Sequence, residues 1–535
     1  MQIPDDNTHL PLPSLGMRPA LCVMVLGTSS GAGKSWVTTA LCAWYRAQGY
    51  RVAPFKAQNM SNNARVVATP DGCWGEIGTA QYLQALAAGA VPDVHMNPLL
   101  LKPEADTRSQ VVLLGRVDEA LTALPWRGRS VRVWPQITQA LDTLRAHYDV
   151  VVIEGAGSPA EINLHASDVV NMRVARHCNA HCLLVADIDR GGAFAHLYGT
   201  WALLPPDERA LIQGFVLNKF RGDAHLLAPA PQMLQEKTGI QTVAVIPMQH
   251  QHGLPEEDGV FDDRTSIATG KLVHTHIAII AYPRISNLDE FQPLLALPGV
   301  RVSWARNPVQ LAEADWVILP GSKATATDLA WMRAQGLDAA VVAHAQAGRR
   351  VLGICGGLQM LGEALIDLHG VDGNAAGLGL LPLVTQFAVE KTVRRVTTKL
   401  PVLRAPWAAL SDVSLQVYEI HHGQTQLRVD MQQEITPSLR AHEPQPGLVW
   451  QSGSGHIWGT YWHGLFENTS VLQALFGVHV PGLETVFAKL AMGCQQWFAK
   501  NNEDISPPQV CAPQPKQHQD CPVAHKADLA NDGHE

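Results

Sequence analysis

Two short glycine-rich turns, some three hundred residues apart, constrain this chain more than anything else in it. The first is Gly27-Thr-Ser-Ser-Gly-Ala-Gly-Lys34-Ser35, and the second is Gly353-Ile-Cys355-Gly-Gly357. Each follows a short apolar run and precedes a helical pattern, so each marks a strand–turn–helix unit. In open α/β sheets such turns lie at the carboxyl ends of strands, where ligands bind. One turn suits a nucleotide phosphate and the other exposes a thiol. Together they imply that the product of one site is consumed at the other.

The surrounding pattern sets the fold class. From Leu21 onward, short β-rich apolar runs alternate with amphipathic helical stretches, the signature of a parallel sheet covered by helices. Strands are expected at residues 22–26, 150–153, 182–186, 211–217 and 242–246. The pattern breaks around residues 252–275 in loop-forming residues, and a second series starts at His276-Ile-Ala-Ile-Ile-Ala-Tyr. The expected class is therefore α/β, with two doubly wound parallel-sheet domains over residues 21–262 and 276–500. A linker at 263–275 joins them. Pro-rich residues 1–20 are expected to form a loose arm. The polar tail at 501–535 is expected to be disordered, because it offers too little apolar surface to offset the entropy of ordering. Its Cys511, Cys521, His518, His525 and His534 match no compact zinc spacing.

Length and charge narrow the function classes. At 535 residues the chain is too long for one core. Its net charge of -8 argues against nucleic acid or a membrane surface as the main partner. No apolar run reaches the length of a membrane span. Nine irregularly spaced cysteines do not form a disulfide framework, and Met-Gln-Ile-Pro-Asp-Asp lacks a signal-peptide pattern. A reducing, cytoplasmic setting is expected.

The first turn has the context of a phosphate loop. Glycines let backbone N–H groups turn around phosphate oxygens, and the following helix presents its positive end to the same anion. Gly27, Thr28, Gly31 and Gly33 would line that loop. Lys34 would reach the β- and γ-phosphates, and Ser35 would ligate Mg²⁺. A Gly/Ser-rich turn that binds nothing is the plain alternative, but Gly-Lys-Ser at a strand–helix junction rarely arises by accident. Five residues, one more than usual, separate Gly27 from Gly33.

At the second turn, Cys355 sits between Gly353 and the pair Gly356-Gly357. Small neighbours permit the strained backbone of a nucleophile elbow, and a helix N-terminus favours the thiolate. The Gly356 N–H is a candidate oxyanion donor, and Gly321 in Leu319-Pro-Gly-Ser-Lys323 is a second. An imidazole base is required. His463, in Gly459-Thr-Tyr-Trp-His-Gly-Leu-Phe466, is the best placed by pattern, with His421 and His422 as competitors. The ordinary reading of a free cysteine is an inert core residue. Glycine on both sides and the strand–turn–helix setting argue otherwise.

These motifs carry family resemblances. The long loop resembles the dethiobiotin synthetase-like ATPases, in which Gly-Thr-x-x-x-x-Gly-Lys-[Ser/Thr] is usual. That resemblance implies a Mg²⁺-binding carboxylate at Glu154 in Ile153-Glu-Gly-Ala-Gly157. It also implies a substrate- and phosphate-facing lysine at Lys56, and a base contact from Asn218. Residues 276–470 resemble class I glutamine amidotransferases, which implies attack by Cys355 on the glutamine carboxamide and proton transfer by His463. That class carries a carboxylate two residues after the histidine, whereas this chain has Leu465. His463 is then oriented by another group, such as backbone or Glu467, or works in a Cys–His dyad.

The stretch from about residue 22 to 470 resembles the cobyric acid synthase family of cobalamin biosynthesis. The supporting segments are Pro54-Phe-Lys-Ala-Gln-Asn-Met-Ser-Asn-Asn63, Glu154-Gly-Ala-Gly-Ser-Pro-Ala-Glu-Ile-Asn163, Asp187-Ile-Asp-Arg-Gly-Gly192 and Tyr418-Glu-Ile-His421. The resemblance implies ATP- and glutamine-dependent amidation, with Mg²⁺, of the b, d, e and g carboxylates of adenosylcobyrinic acid a,c-diamide. Lys56, Asp187, Asp189 and Arg190 would then lie near phosphate or the anionic corrinoid. The related a,c-diamide synthases are one alternative. A partitioning-type ATPase regulator with an inactive amidotransferase domain is another.

Overall fold

The run Leu21–Gly27 is apolar at every position but its last, and a strand of that kind is stable only where both of its faces are covered. It lies inside a six-stranded, wholly parallel sheet in the order Thr242–Pro247, Ile212–Phe220, His181–Asp187, Leu21–Gly27, Val150–Glu154, Val52–Phe55. Each of the five strands expected from the sequence is present, extended by one or a few residues. The register aligns Gly27 with Val185 and Val25 with Glu154, which brings the phosphate loop, Glu154 and Asp187 to one edge of the sheet.

A second six-stranded sheet runs Val300–Ala305, Thr275–Ile280, Trp316–Leu319, Arg350–Ile354, Ile457–Thr460, Val449–Gln451. All its pairs are parallel except the last. Arg350–Ile354 and Ile457–Thr460 are neighbours, with Ile354 opposite Thr460, so Cys355 and His463 leave the sheet side by side. Both sheets are doubly wound, as expected. The computed structural model describes residues 19–105, 107–249, 252–255, 273–428, 448–478 and 482–498. Most of the expected arm and linker, and the whole tail at 501–535, lie outside these residues.

Two features were not anticipated. A long antiparallel pair, Leu383–Lys399 with Ser414–Leu427, reaches from the second half to the first. Its Tyr418 and Ile420 share a small apolar core with Ala64, Val66, Leu100 and Val112. The helix Leu483–Phe498, assigned from the sequence to the second domain, packs instead on the phosphate-loop helix Lys34–Ala47. Phe487, Leu490 and Phe498 join Val37, Leu41 and Tyr45 in one core, and Trp36 meets Trp497 at 5.5 Å between ring centroids. An amphipathic helix packs wherever an apolar face is available, irrespective of position in the sequence.

Truncating Phe487, which is buried in that core, is expected to cost about 3–5 kcal/mol. Phe487→Ala should therefore speed amide hydrogen exchange in the Lys34–Ala47 helix. Unchanged protection there would show that the C-terminal helix is not part of the nucleotide-half core.

Candidate active sites

At the first turn, Gly33 adopts φ +93°, and a Cβ there would lie 2.1 Å from Asn218 Nδ2. Only glycine fits this close approach. The Lys34 ammonium donates to the Ser29 and Gly157 carbonyls at 3.1 and 3.0 Å, which folds it back over the loop. Thr28 Oγ1 is buried without a protein partner among the described residues. Glu154, 1% exposed, is the centre of the site. Its carboxylate accepts from Ser35 Oγ at 2.8 Å, Lys56 Nζ at 2.8 Å and Gln84 Nε2 at 2.6 Å.

Asn218 donates to the Ala32 carbonyl at 2.9 Å and so braces the loop from a nearby strand. Lys219 bridges the Gly31 carbonyl at 2.8 Å and Asp187 at 3.0 Å. Arg190 lies 3.5 Å from Asp187, and its guanidinium is close to Gly31. Asp189 is drawn elsewhere: it is exposed and pairs with Arg221 at 3.0 Å. Ser35 and Glu154 form an all-oxygen donor pair beside Lys34. That chemistry fits Mg²⁺, which takes few protein ligands and completes its shell with phosphate and water. Among the described residues no group of three or more His, Cys, Asp or Glu forms a protein-only metal cage.

At the second turn, Cys355 has φ +50° and ψ -106°, the strained conformation expected of an elbow. Its N–H is anchored to the Thr460 carbonyl at 2.7 Å. Gly357 lies so close to the neighbouring strand Trp316–Leu319 that a Cβ would sit 1.8 Å from the Leu319 oxygen. Gly356, next to Cys355 in the chain, lies against the Ser322 backbone, and Gly321 lies against His463 and Ser286. Lys102 of the first half joins Ser322, Gln359, His422 and His463 in lining the cleft that exposes Cys355.

His463 is the histidine that meets the thiol. Its ring lines the same cleft as Cys355, whose Sγ donates to the Ile420 carbonyl at 3.6 Å, and its Nδ1 lies 3.0 Å from Glu290 Oε1. The second Glu290 oxygen accepts from the Gly464 N–H at 3.0 Å, and Glu290 is fully buried. Burial alone would lower the His463 pKa, but the Glu290 carboxylate and the neighbouring Cys355 outweigh it and push it up to about 10. The ring is thus held as an imidazolium at neutral pH. His421 is engaged elsewhere, by the Gly423 carbonyl at 2.8 Å and by Glu419 at 3.3 Å. Burial, with Lys391 and Lys323 nearby, pulls His422 down to about 4.

The open question of what orients His463 has a geometric answer in Glu290. Glu467 is turned to Arg65 instead, at 2.5 Å. Glu290 lies 173 residues upstream of His463, in the helical turn Leu288–Phe291. In the sequence Asn287-Leu-Asp-Glu-Phe291 is legible as a helix start and carries no spacing signal that ties it to a distant histidine. Gln84 and Lys219 were missed for the same reason, since only the fold brings them to Glu154 and the phosphate loop.

The histidine's raised pKa has a stability consequence. Its folded value of about 10 exceeds the ordinary 6.5, so the pair stabilises the fold fully below about pH 6.5. That contribution is lost as pH rises through about 10. Glu290→Gln should flatten this alkaline dependence in unfolding titrations. It should also lower glutaminase kcat by about 10²–10⁴-fold. Wild-type kcat in this variant would remove Glu290 from the catalytic constellation.

Comparison with known proteins matches two family models. Residues 23–258 match a CobQ/CobB/MinD/ParA nucleotide binding domain, and residues 276–471 match a CobB/CobQ-like glutamine amidotransferase domain. A cobyric acid synthase of Paracidovorax citrulli (strain AAC00-1) is 69% identical over 90% of this chain and 97% of its own length. One from Acidovorax sp. (strain JS42) is 69% identical over 90% and 96%, and one from Leptothrix cholodnii (strain ATCC 51168 / LMG 8142 / SP-6) is 60% identical over 90% and 96%.

Proposed function

Because this chain belongs to the cobyric acid synthase family, we propose that its two turns run the two half-reactions of one amidation. The chain is an ATP- and glutamine-dependent ligase of cobalamin biosynthesis. Its substrate is a corrinoid, adenosylcobyrinic acid a,c-diamide, and the b, d, e and g carboxylates become amides to give adenosylcobyric acid.

In the glutaminase half-reaction, the Cys355 thiolate attacks the glutamine carboxamide carbon. The developing oxyanion is stabilised by the Gly356 N–H and by backbone at Gly321, where electrostatic complementarity contributes most. The His463 imidazolium gives its proton to the leaving nitrogen, and ammonia departs. Water, deprotonated by the same ring, then cleaves the thioester and releases glutamate. Glu290 holds the ring in orientation throughout. The observation that carries this reading is the convergence of thiol, imidazole and carboxylate: Cys355 and His463 line one cleft, and His463 is bonded to Glu290.

In the synthetase half-reaction, a corrinoid carboxylate attacks the γ-phosphorus of ATP, giving an acyl phosphate and ADP. Ammonia attacks the acyl carbon, phosphate leaves and a proton is lost. Lys34, with the loop N–H groups of Gly27, Thr28, Gly31 and Gly33, binds the phosphates. Asn218 braces the loop toward the base, while Lys56, Asp187 and Arg190 serve the phosphate or the anionic substrate. Asp189 would have to leave Arg221 to join them. Ser35 and Glu154 would hold Mg²⁺, which when bound neutralises the phosphate oxygens. Gln84 Oε1 and Gln81 Nε2, buried and without a hydrogen-bond partner among the described residues, support a polar ligand in this region.

The setting is proposed to be cytoplasmic. No described helix is long and apolar enough to cross a membrane, and the described cysteines are free thiols.

Cys355→Ala is expected to abolish amidation with glutamine while ammonium salts still support it, read by product mass. Loss of both activities in a folded variant would refute the assignment of separate sites.

A further inference from the structure

Three consecutive residues of the nucleotide half, Asn63, Ala64 and Arg65, bond to three consecutive residues of the amidotransferase half. The Leu288 N–H donates to Asn63 Oδ1 at 2.9 Å, and the Ala64 N–H donates to Asn287 Oδ1 at 3.0 Å. Arg65 donates to the Asp289 carboxylate. The next residue is Glu290. Asn287 is held at φ +53°, a left-handed conformation, and it starts the helical turn that carries Glu290. A non-glycine residue stays in that region when its surroundings hold it there. Here the holding bonds come from the other half of the molecule.

The remaining partners of Arg65 flank His463. Its guanidinium donates to the Tyr418 hydroxyl and, at 2.5 Å, to Glu467. The Tyr418 ring stacks on the His463 ring, with centroids 5.4 Å apart and planes at 22°. The same two residues exchange backbone hydrogen bonds of 2.9 and 3.2 Å. Glu467 ends the short turn that follows His463. Arg65 itself is 4% exposed and bonds to neither Cys355 nor His463. Each of its acceptors belongs to a segment that fixes a member of the catalytic set.

We propose that Arg65 is a positioning residue for glutamine hydrolysis, supplied by the nucleotide half, and that it holds Glu290 and His463 in line with Cys355. This rests on the glutaminase reading of Cys355. The amidotransferase half is then incomplete without its partner domain. Arg65 also lies on the strand Ala64–Ala68, which pairs with Trp74–Gly78. That hairpin leads into the helix Thr79–Ala88, whose Gln84 binds Glu154. One continuous piece of chain therefore serves the carboxylates of both sites.

The test uses the full chain, with glutamate release giving kcat and KM for glutamine, and with amidation measured separately on ammonium. Arg65→Ala is expected to lower kcat for glutamine by about 10²-fold, the scale of a small misplacement of catalytic groups. KM should change little, and amidation on ammonium should persist. Covalent labelling of Cys355 by a diazoketone analogue of glutamine should slow in parallel. Arg65→Lys keeps the charge but not the planar fork, so it should recover only part of the rate. Tyr418→Phe removes one acceptor and keeps the stacked ring, and it should show an intermediate loss. Wild-type kcat in Arg65→Ala, or an equal loss of glutamine- and ammonium-supported activity, would overturn the proposal. If Arg65→Ala does not fold, Tyr418→Phe decides, and wild-type kcat there overturns it. Absence of glutamate release by the wild-type protein would instead overturn the reading beneath it.

Discussion

The guanidinium of Arg65, almost wholly withdrawn from water where the two halves meet, is the interaction that ties their docking to the thiol site. Burying a charge costs several kcal/mol, and the cost is offset only where every partner is in place. Its charged and hydroxyl partners, Asp289, Glu467 and Tyr418, all belong to the other half. A rotated or shifted docking would leave that charge unpaired. The apolar contact of Tyr418 and Ile420 with Ala64, Val66, Leu100 and Val112 supplies area, which is tolerant of small displacements. The ionic cluster beside it fixes one orientation.

Each half then solves its chemistry with a buried carboxylate. Glu154 gathers Ser35, Lys56 and Gln84 at the end of a sheet strand, so the cationic and neutral donors of the nucleotide site share one acceptor. Glu290 instead holds a single imidazolium against a thiol. Its second oxygen is satisfied by the Gly464 N–H, which prevents the carboxylate from rotating away. Both carboxylates are 1% exposed or less, and in such surroundings charge interactions are much stronger than at the surface.

Local pattern made much of this legible. The apolar runs at residues 22–26 and 351–354 could be little else than buried strands, and the glycines around Lys34 and Cys355 state their own geometry. Glu154, Lys56 and Asn218 were named through the family resemblance, and each closes or follows an apolar strand that the sheet aligns with the phosphate loop. Glu290 was not, because its partner is distant in sequence and the two meet only through the doubly wound topology. Glu467 was named for its closeness in sequence to His463, yet a cation from the other half draws it away. The C-terminal helix was assigned to the second domain for a similar reason: its apolar stripe records that it packs, not on what.

Covalent fusion of the halves has a chemical purpose if ammonia made at Cys355 is consumed at the nucleotide site before it reaches solvent. The most direct measurement supplies the wild-type protein with the corrinoid diamide, ATP, Mg²⁺ and glutamine labelled with ¹⁵N in its amide, in the presence of excess unlabelled ammonium. The account predicts that the new corrinoid amides carry the label from glutamine. Product amides matching the unlabelled pool would contradict it.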